Sequence, residues 1–436
     1  MAVPAQFGTG KLLSVLGVTF GLAVGVGNTI GAGILRSPGT IASNLPEFLP
    51  FLSVWLIGGL YALLGANAIS ELATMVPRAG GQYAFVRRGL GDYAGFVVGW
   101  SDWVSTCGTT AALAIVIGEY TVGLVPELRS YHLVALVAIG ALTVVQWIGI
   151  RTASATQNVT SLIKAVVLLA FVAACFFMGS RNPFTADVTA DREGFLLVAF
   201  IVSLQAVIYT YDGWTAPIYF SEEFKDPGRQ LPRAIFGGLF AVIVIYLLII
   251  LAFATVVPLP TLAGKDLAIA AVSERLFGMH ADTVVRLVMV LALLSALTAS
   301  LMMAPRVVFA MSRDGLFWRG ATEVNQGGTP DVALLVSSVL GGLFIISGSF
   351  ENVIAKLAFF FVANYTLSFI TLFVLRRREP ETARPYRAWG HPFTTGLALV
   401  ASIIFLIGVI ATDTVNSLWA IGLLFLSYPA YRLTRR

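Results

Sequence analysis

Long apolar runs alternate with short polar segments along almost the whole chain. Each run reaches the ~20 residues that an α-helix needs to cross a bilayer. This pattern predicts an all-α polytopic membrane protein with twelve transmembrane helices, forming a single transmembrane domain over residues 1–436. The predicted spans cover residues 14–42, 48–75, 93–122, 131–150, 156–179, 195–221, 232–257, 281–312, 330–347, 350–375, 393–411 and 415–433.

Glycine interrupts two of these runs near their middle. The first interruption is Gly31-Ala32-Gly33, and the second is Tyr211-Asp212-Gly213-Trp214. An unbroken helix satisfies its own backbone groups in lipid, so a break at this depth must line a cavity or be buried in protein. Interrupted spans at matching places in two halves of a chain are typical of a transporter binding site.

The breaks also predict how the chain is organised. Spans 1–5 and spans 6–10 each begin with a broken helix, and an odd number of helices per repeat inverts the second repeat. We therefore expect a 5+5 inverted repeat, with repeat 1 over residues 14–179 and repeat 2 over residues 195–375. The spans within residues 393–433 would be two extra C-terminal helices.

Composition and charge agree with a membrane protein. Hydrophobic residues make up 57% of the chain and charged residues 12%, about half the charged fraction of a soluble domain. With both termini in the cytoplasm, about 19 of the 28 Lys and Arg residues lie on the inner side, as the positive-inside rule requires. The net charge of +5 is better explained by this orientation and by anionic lipid than by a nucleic-acid partner.

The first break has the chemistry of a zwitterion site. Losing helical bonds there frees the amides of Gly31, Ala32 and Gly33, and the N-terminus of a helix attracts a carboxylate. The freed carbonyls of Thr29 and Ile30 suit an ammonium group. An amino acid carries both charges, about one residue apart. The alternative is that these glycines only allow close helix packing.

The second break offers further groups for the same ligand. Backbone carbonyls around Tyr209 and Thr210 could complete the ammonium site, and the rings of Tyr209, Tyr211 and Trp214 could act as a gate over a bound side chain. Asp212 is an acid within a span, which marks a functional position by default. Asp212 either contacts the ligand or bonds nearby backbone.

Lys164 is the most informative single residue, because it lies about 12 Å into the fifth span at helical rise. A charged lysine at that depth needs a partner or a cavity, unless it snorkels to the inner surface. The functional interpretation is an ammonium bonded to the freed carbonyls of the first break, where a metal cation would otherwise bind. We therefore predict that Lys164 couples the site to the fifth helix.

Other polar residues within the spans carry less information. We interpret Glu71, Asp102 and Glu119 as structural. Arg36 is placed near the outer vestibule, and Asn364 could face the cavity. The three histidines lack metal-ligand spacing, and the main enzyme motifs are missing, so we predict no enzyme activity, cofactor or metal.

With these residues in view, the chain resembles the amino acid–polyamine–organocation superfamily, most closely the L-type amino acid transporter branch and its bacterial relatives. The resemblance runs nearly end to end and implies a leucine-transporter-type fold with alternating access around a central site. Its most specific segments are residues 30–35 (IGAGIL), 211–214 (YDGW), 221–234 (SEEFKDPGRQLPRA), 312–316 (SRDGL), 328–330 (GTP) and 378–385 (REPETARP).

The resemblance also implies roles for individual residues. The substrate carboxylate would bind at Gly31, Ala32 and Gly33, and Tyr209 would gate the site. Lys164 matches a fifth-helix lysine that replaces a sodium site in several relatives. The substrate amine would bind at Thr29, Ile30, Tyr209, Thr210 and Asp212.

Two positions depart from the family pattern. Ala32 replaces a serine of many members, which removes a hydroxyl but keeps the amide. Thr215 follows Trp214 where some animal members have asparagine, so their side-chain selectivity does not transfer.

Together these observations predict a plasma (inner) membrane carrier of neutral L-amino acids, sodium-independent, working as an exchanger or a proton-coupled symporter. The loop between spans 3 and 4 lacks the cysteine through which animal members join a heavy chain, so no disulfide-linked partner is expected. A permease for polyamines or other organic cations is one alternative, but it needs more acids than Asp212. An amino-acid sensor without transport is the other.

Overall fold

The computed structural model describes residues 11–182, 196–347, 358–412 and 414–434. Within these ranges the chain is built from helices and contains no β-strand, which confirms the predicted all-α class. Residue 195 of the predicted span 195–221 and residues 350–357 of the predicted span 350–375 lie outside the described ranges.

The first half of the chain forms seven α-helices. The two halves of the first predicted span are α1 and α2, and α4 is a short helix between two long ones. Their bounds are α1 Val18–Thr29, α2 Gly33–Asn44, α3 Phe48–Met75, α4 Gln82–Leu90, α5 Asp92–Leu124, α6 Tyr131–Ile148 and α7 Ile150–Met178.

The second half begins with α8, which a 3-10 helix over Ala216–Glu223 continues after a break. Two short helices, α10 and α11, occupy the connection that follows α9. The remaining bounds are α8 Leu196–Tyr211, α9 Pro227–Val256, α10 Leu259–Leu262, α11 Ala268–Phe277, α12 Ala281–Arg313, α13 Asp331–Ser347, α14 Ala358–Arg378, α15 Phe393–Thr412 and α16 Thr414–Thr434.

Nine helical segments of the described chain are long and apolar enough to cross a membrane, and the bent pair α1–α2 makes a tenth. The helix α13 is apolar but only 17 residues long, and α16 is not among the ten. The structure thus confirms a helical protein with many apolar spans. The count of twelve crossings and the inverted repeat stay predictions.

Hydropathy placed two helix starts several residues too late. The seventh predicted span begins at residue 232, whereas α9 begins at Pro227. The fifth predicted span begins at residue 156, whereas α7 begins at Ile150, directly after Gly149 at φ 148°. The first turns of α7 contain Arg151, Thr152 and Ser154. These residues are helical but polar, so a search for apolar runs could not detect them.

Helices on both sides enclose the first break. The helix α1 packs against α7, α9 and α12, while α2 packs against α8. At the end of α3, the buried Glu71 carboxylate accepts hydrogen bonds from Arg376 at 2.9 and 2.5 Å and from the amide of Ala388 at 2.7 Å. Because buried charges must be paired, this ion pair holds the end of α3 against the end of α14.

Candidate functional site between the two broken helices

The first break lies where the glycine pattern placed it. The helix α1 ends at Thr29 and α2 begins at Gly33, with a bend of 43° between them. The amide of Gly31 turns back to the carbonyl of Thr29 at 2.9 Å. The amides of Ala32 and Gly33 have no hydrogen-bond partner within the described part of the chain. Two free amides therefore stand at the N-terminus of a 12-residue helix.

The second break is equally well defined. The helix α8 ends at Tyr211, and residues 212–215 form turns before the 3-10 helix begins. Gly213 lies at φ +109°, a conformation that residues with a Cβ rarely adopt. This conformation lets the chain change direction within a buried span.

The two breaks face each other directly. The side-chain amide of Asn28 donates to the carbonyl of Gly213 at 3.4 Å. A Cβ on Gly213 would lie 3.0 Å from the Thr29 Cα, and a Cβ on Gly33 would lie 3.0 Å from the Thr210 Cγ2. A side chain at either place would crowd the opposite break, and position 213 also needs glycine for its positive φ.

A buried tyrosine of α9 bridges the breaks. The hydroxyl of Tyr246 lies 2.9 Å from the carbonyl oxygens of both Thr29 and Thr210. Its single proton can be donated to only one carbonyl at a time. The two breaks therefore share one hydrogen-bond donor. Tyr246 lies within an otherwise apolar stretch, AVIVIYLLII, so its role cannot be predicted from the hydropathy pattern.

Lys164 reaches the first break rather than snorkelling to the surface. Its side chain is fully buried, and its Nζ donates to the carbonyl of Gly27 at 2.6 Å and to the carbonyl of Ile30. Both carbonyls belong to the frayed end of α1. The structure therefore favours the interpretation of Lys164 as an ammonium bound at the break.

Next to Lys164, a buried polar cluster joins α7, α1 and α12. The Oγ of Ser161 donates to the Ala23 carbonyl at 2.7 Å and lies 2.8 Å from the Oγ of Ser295. The side-chain amide of Gln157 contacts the same two hydroxyls at 3.0 and 3.2 Å. This cluster fixes the face of α7 that presents Lys164.

A cavity of about 130 Å³ lies between the two breaks and helices α5, α12 and α14. It contains most of the residues that the sequence predicted for binding. The predicted residues that line it are Thr29, Gly31, Ala32, Gly33, Tyr209, Thr210, Asp212, Gly213 and Asn364.

Five predicted residues do not line this cavity. Tyr211 packs against Trp55 and Tyr246, and Trp214 stacks on Tyr365 with ring centroids 5.5 Å apart. The other three are Ile30, Lys164 and Arg36. Tyr209 is thus the only one of the three predicted gate aromatics that reaches the cavity of the described structure.

The carbonyls predicted for the substrate amine already have partners. The Lys164 ammonium donates to the Ile30 carbonyl, and the Tyr246 hydroxyl lies within hydrogen-bond distance of the Thr29 and Thr210 carbonyls. A carbonyl oxygen has two lone pairs, so Thr210 can still accept a second bond from an amine in the cavity. The Thr29 carbonyl already faces two donors, the Tyr246 hydroxyl and the Gly31 amide. The Ile30 carbonyl does not line the cavity and is better described as a hydrogen-bond acceptor for Lys164.

Asp212 is held by a neighbouring hydroxyl. The Tyr365 hydroxyl donates to its Oδ1 at 2.5 Å, and Trp214 covers the other side of the Tyr365 ring. Asp212 therefore lines the cavity with one oxygen already bonded. Trp214 supports this pair through Tyr365.

Asp102 differs from its predicted structural role. It is 4% exposed, lines the cavity, and accepts a hydrogen bond from the Tyr219 hydroxyl at 2.8 Å. The sequence could not reveal this because the position of Asp102 depends on how α5 is rotated against α12. The cavity thus has a second carboxylate besides Asp212.

With this geometry established, comparison with known proteins identifies the class. The family model for amino acid permeases matches residues 11–426. The chain is 26% identical over 426 residues to the serine/threonine exchanger SteT of Bacillus subtilis (strain 168), covering 95% of both chains.

Two human transporters are similar as well. The b(0,+)-type amino acid transporter 1 is 25% identical over 87% of this chain and 79% of its own length. The large neutral amino acids transporter small subunit 2 is 25% identical over 85% of this chain and 71% of its own length. The chain belongs to the amino acid permease family, and its function is amino acid transport.

The bridging hydroxyl gives a first testable prediction. We expect Tyr246→Phe to lower the rate of amino acid uptake about 10-fold, because a lost hydrogen bond to buried carbonyls costs roughly 1–3 kcal/mol. Uptake into proteoliposomes at matched protein content measures this. The exposed Tyr428 supplies the control Tyr428→Phe, and equal uptake by both variants would contradict the bridging role.

Proposed function

We propose that this chain is a sodium-independent amino acid transporter that works by alternating access in the plasma (inner) membrane. In this proposal the twelve predicted spans form two inverted five-helix repeats and an extra C-terminal pair, with both termini in the cytoplasm. The observation that carries the proposal is the cavity between two facing backbone breaks.

The substrate carboxylate would bind the amides of Ala32 and Gly33. These two groups have no other partner in the described structure, and they stand at a helix N-terminus, where the partial positive charge favours an anion. Gly31 lines the same cavity, and a Cβ there would meet nothing within 4 Å. Open space next to free amides is what a carboxylate requires.

The substrate amine would bind on the opposite side of this space. The carbonyl of Thr210 keeps a free lone pair, and Asp212 supplies a carboxylate that lines the same cavity. The Thr29 carbonyl would accept the amine in exchange for the shared proton of Tyr246. An occupied site would thus draw the two breaks together through one small zwitterion, with Tyr209 closing over it as a gate.

Lys164 supports independence from sodium. Its ammonium is bound to the Gly27 and Ile30 carbonyls, which are the type of backbone ligand that unwound helices offer to a sodium ion. A fixed positive charge at these oxygens would replace the ion and link the occupied site to α7. Exchange and proton-coupled symport both remain compatible with this arrangement.

A polyamine permease is less well supported, because a polyamine has no carboxylate for the amides of Ala32 and Gly33. No disulfide-linked partner is part of the proposal either. Both cysteines of the sequence, Cys107 and Cys175, are buried within α5 and α7.

Uptake into proteoliposomes tests the coupling. Vesicles preloaded with a mixture of unlabelled amino acids should take up labelled amino acid at the same rate with a sodium gradient or with a choline gradient of equal ionic strength. Uptake that rises several-fold with the sodium gradient would overturn sodium independence, and uptake of no amino acid under any gradient would overturn the transport function.

A further inference from the structure

One face of α5 presents a stripe of polar side chains to the cavity. Asp102, Thr106 and Thr109 line it, followed by Leu113. Their spacing of four, three and four residues places all of them on the same face of a helix. This stripe, residues 102, 106 and 109, lies on a different helix from the two backbone breaks.

Two oxygens of the stripe lack a hydrogen-bond partner. The Tyr219 hydroxyl donates to Oδ1 of Asp102. Within the described part of the chain, the buried Oδ2 of Asp102 and the buried Oγ1 of Thr109 have no hydrogen-bond partner. Burying a polar atom without a hydrogen bond is costly. In native structures such atoms call for a ligand or water.

The cavity contains acids but no cationic side chain. Asp102 and Asp212 line it, and its described lining includes no lysine, arginine or histidine. Asp212 receives a neutral hydroxyl from Tyr365, and Asp102 receives one from Tyr219. A buried carboxylate is stabilised by a positive charge, and the described lining offers none, so a cationic substrate would supply it.

We propose that the polar stripe of α5 is the side-chain subsite and that Asp102 binds a cationic side chain. The proposal rests on the transport function above and narrows its substrate class. The substrates would be basic amino acids, whose α-carboxylate binds the amides of Ala32 and Gly33 while the side-chain ammonium or guanidinium binds Asp102. The sequence predicted neutral substrates, and Asp212 was the one obvious acid that it placed near the breaks.

Three compounds of similar length separate the two subsites. L-Lysine has both the carboxylate and the side-chain ammonium, L-norleucine lacks the side-chain ammonium, and cadaverine lacks the carboxylate. Proteoliposomes preloaded with each unlabelled compound are assayed for counterflow of the labelled one. We expect the wild-type protein to take up lysine at least about 10-fold faster than norleucine or cadaverine. Charge-assisted hydrogen bonds in buried sites distinguish a substrate from an analogue that lacks the charged group at least this strongly.

The variant Asp102→Asn then tests the residue. It should reduce the lysine-to-norleucine ratio to about 1, because the amide keeps the shape of the carboxylate and removes its charge. The control is Glu119→Gln, an exposed acid on the same helix that does not line the cavity, and its ratio should equal that of the wild type. Size-exclusion profiles and melting temperatures check that both variants fold.

Each result decides a separate point. A wild-type protein that takes up norleucine as fast as lysine overturns the side-chain subsite and leaves amino acid transport intact. A folded Asp102→Asn protein with the wild-type lysine-to-norleucine ratio also overturns the side-chain subsite. Cadaverine uptake equal to that of lysine overturns the carboxylate site instead. If Asp102→Asn fails to fold, the wild-type ratio of lysine to norleucine still decides the substrate class.

Discussion

Replacing Lys164 with alanine is expected to reduce transport by about 100-fold or more, the largest effect of any single change considered. The alanine removes the donor to the Gly27 and Ile30 carbonyls, and each buried carbonyl left unpaired costs roughly 1–3 kcal/mol. Without the ammonium, the frayed end of α1 loses its anchor on α7. Counterflow of a transported amino acid in proteoliposomes measures the effect.

Lys225→Ala is the matched control. Lys225 is exposed, and its backbone amide, which the substitution keeps, makes its hydrogen bond to Leu16. This control should transport at the wild-type rate. A folded Lys164→Ala protein with wild-type uptake would refute the coupling role, and one that transports only with a sodium gradient would show that an ion can replace the ammonium.

The second large effect is expected for Gly213→Ala, which should lower transport about 10-fold or more. Two costs combine at this position. A residue with a Cβ at φ +109° is strained by about 1 kcal/mol or more, and the new Cβ would lie 2.9 Å from the Asn28 Nδ2 and 3.0 Å from the Thr29 Cα. The substitution therefore pushes the two breaks apart as well as straining one of them.

Gly264→Ala separates these two costs. Gly264 also has a positive φ, +72°, but a Cβ there would meet nothing within 4 Å. Both variants should lower the melting temperature of the purified protein, whereas only Gly213→Ala should impair uptake. If the two variants lose uptake equally, backbone strain alone explains the loss, and contact between the breaks has no special role.

The sequence predicted the positions of the breaks, although glycine in a membrane helix also serves close packing, as Gly58 and Gly59 do within the unbroken α3. Residues 30–32 and 212–215 are unwound in the structure, and Gly33 is the first residue of α2.

The depth of Lys164 likewise restricted it to two interpretations, and its fully buried side chain, bonded to the Gly27 and Ile30 carbonyls, excludes snorkelling. Its coupling role stays a prediction. In each of these cases the bilayer limits what a residue can do.

Residues whose role depends on helix rotation could not be predicted. Tyr246 bridges both breaks only because α9 packs against α1. A single tyrosine among apolar residues does not indicate which helix it will contact. The sequence predicted a structural role for Asp102, whereas in the structure the polar stripe of α5 that contains Asp102 lines the cavity. Sequence spacing gives the face of a helix but not the neighbour that this face meets.

The gate aromatics show the same limit. Tyr209, Tyr211 and Trp214 lie within six residues, so the sequence treated them as one group. Two residues apart on α8, Tyr209 and Tyr211 point to opposite sides of the helix, and Trp214 follows the turn at Gly213. Tyr209 lines the cavity, Tyr211 packs into the core beside Trp55, and Trp214 stacks behind Tyr365.

The most direct test of the central claim is an experimental structure of the protein with a transported amino acid bound. We expect the substrate carboxylate at hydrogen-bond distance, about 3 Å, from the amides of Ala32 and Gly33, with its amine toward Thr29, Thr210 and Asp212. A substrate whose carboxylate binds elsewhere, with those two amides still unoccupied, would contradict the account.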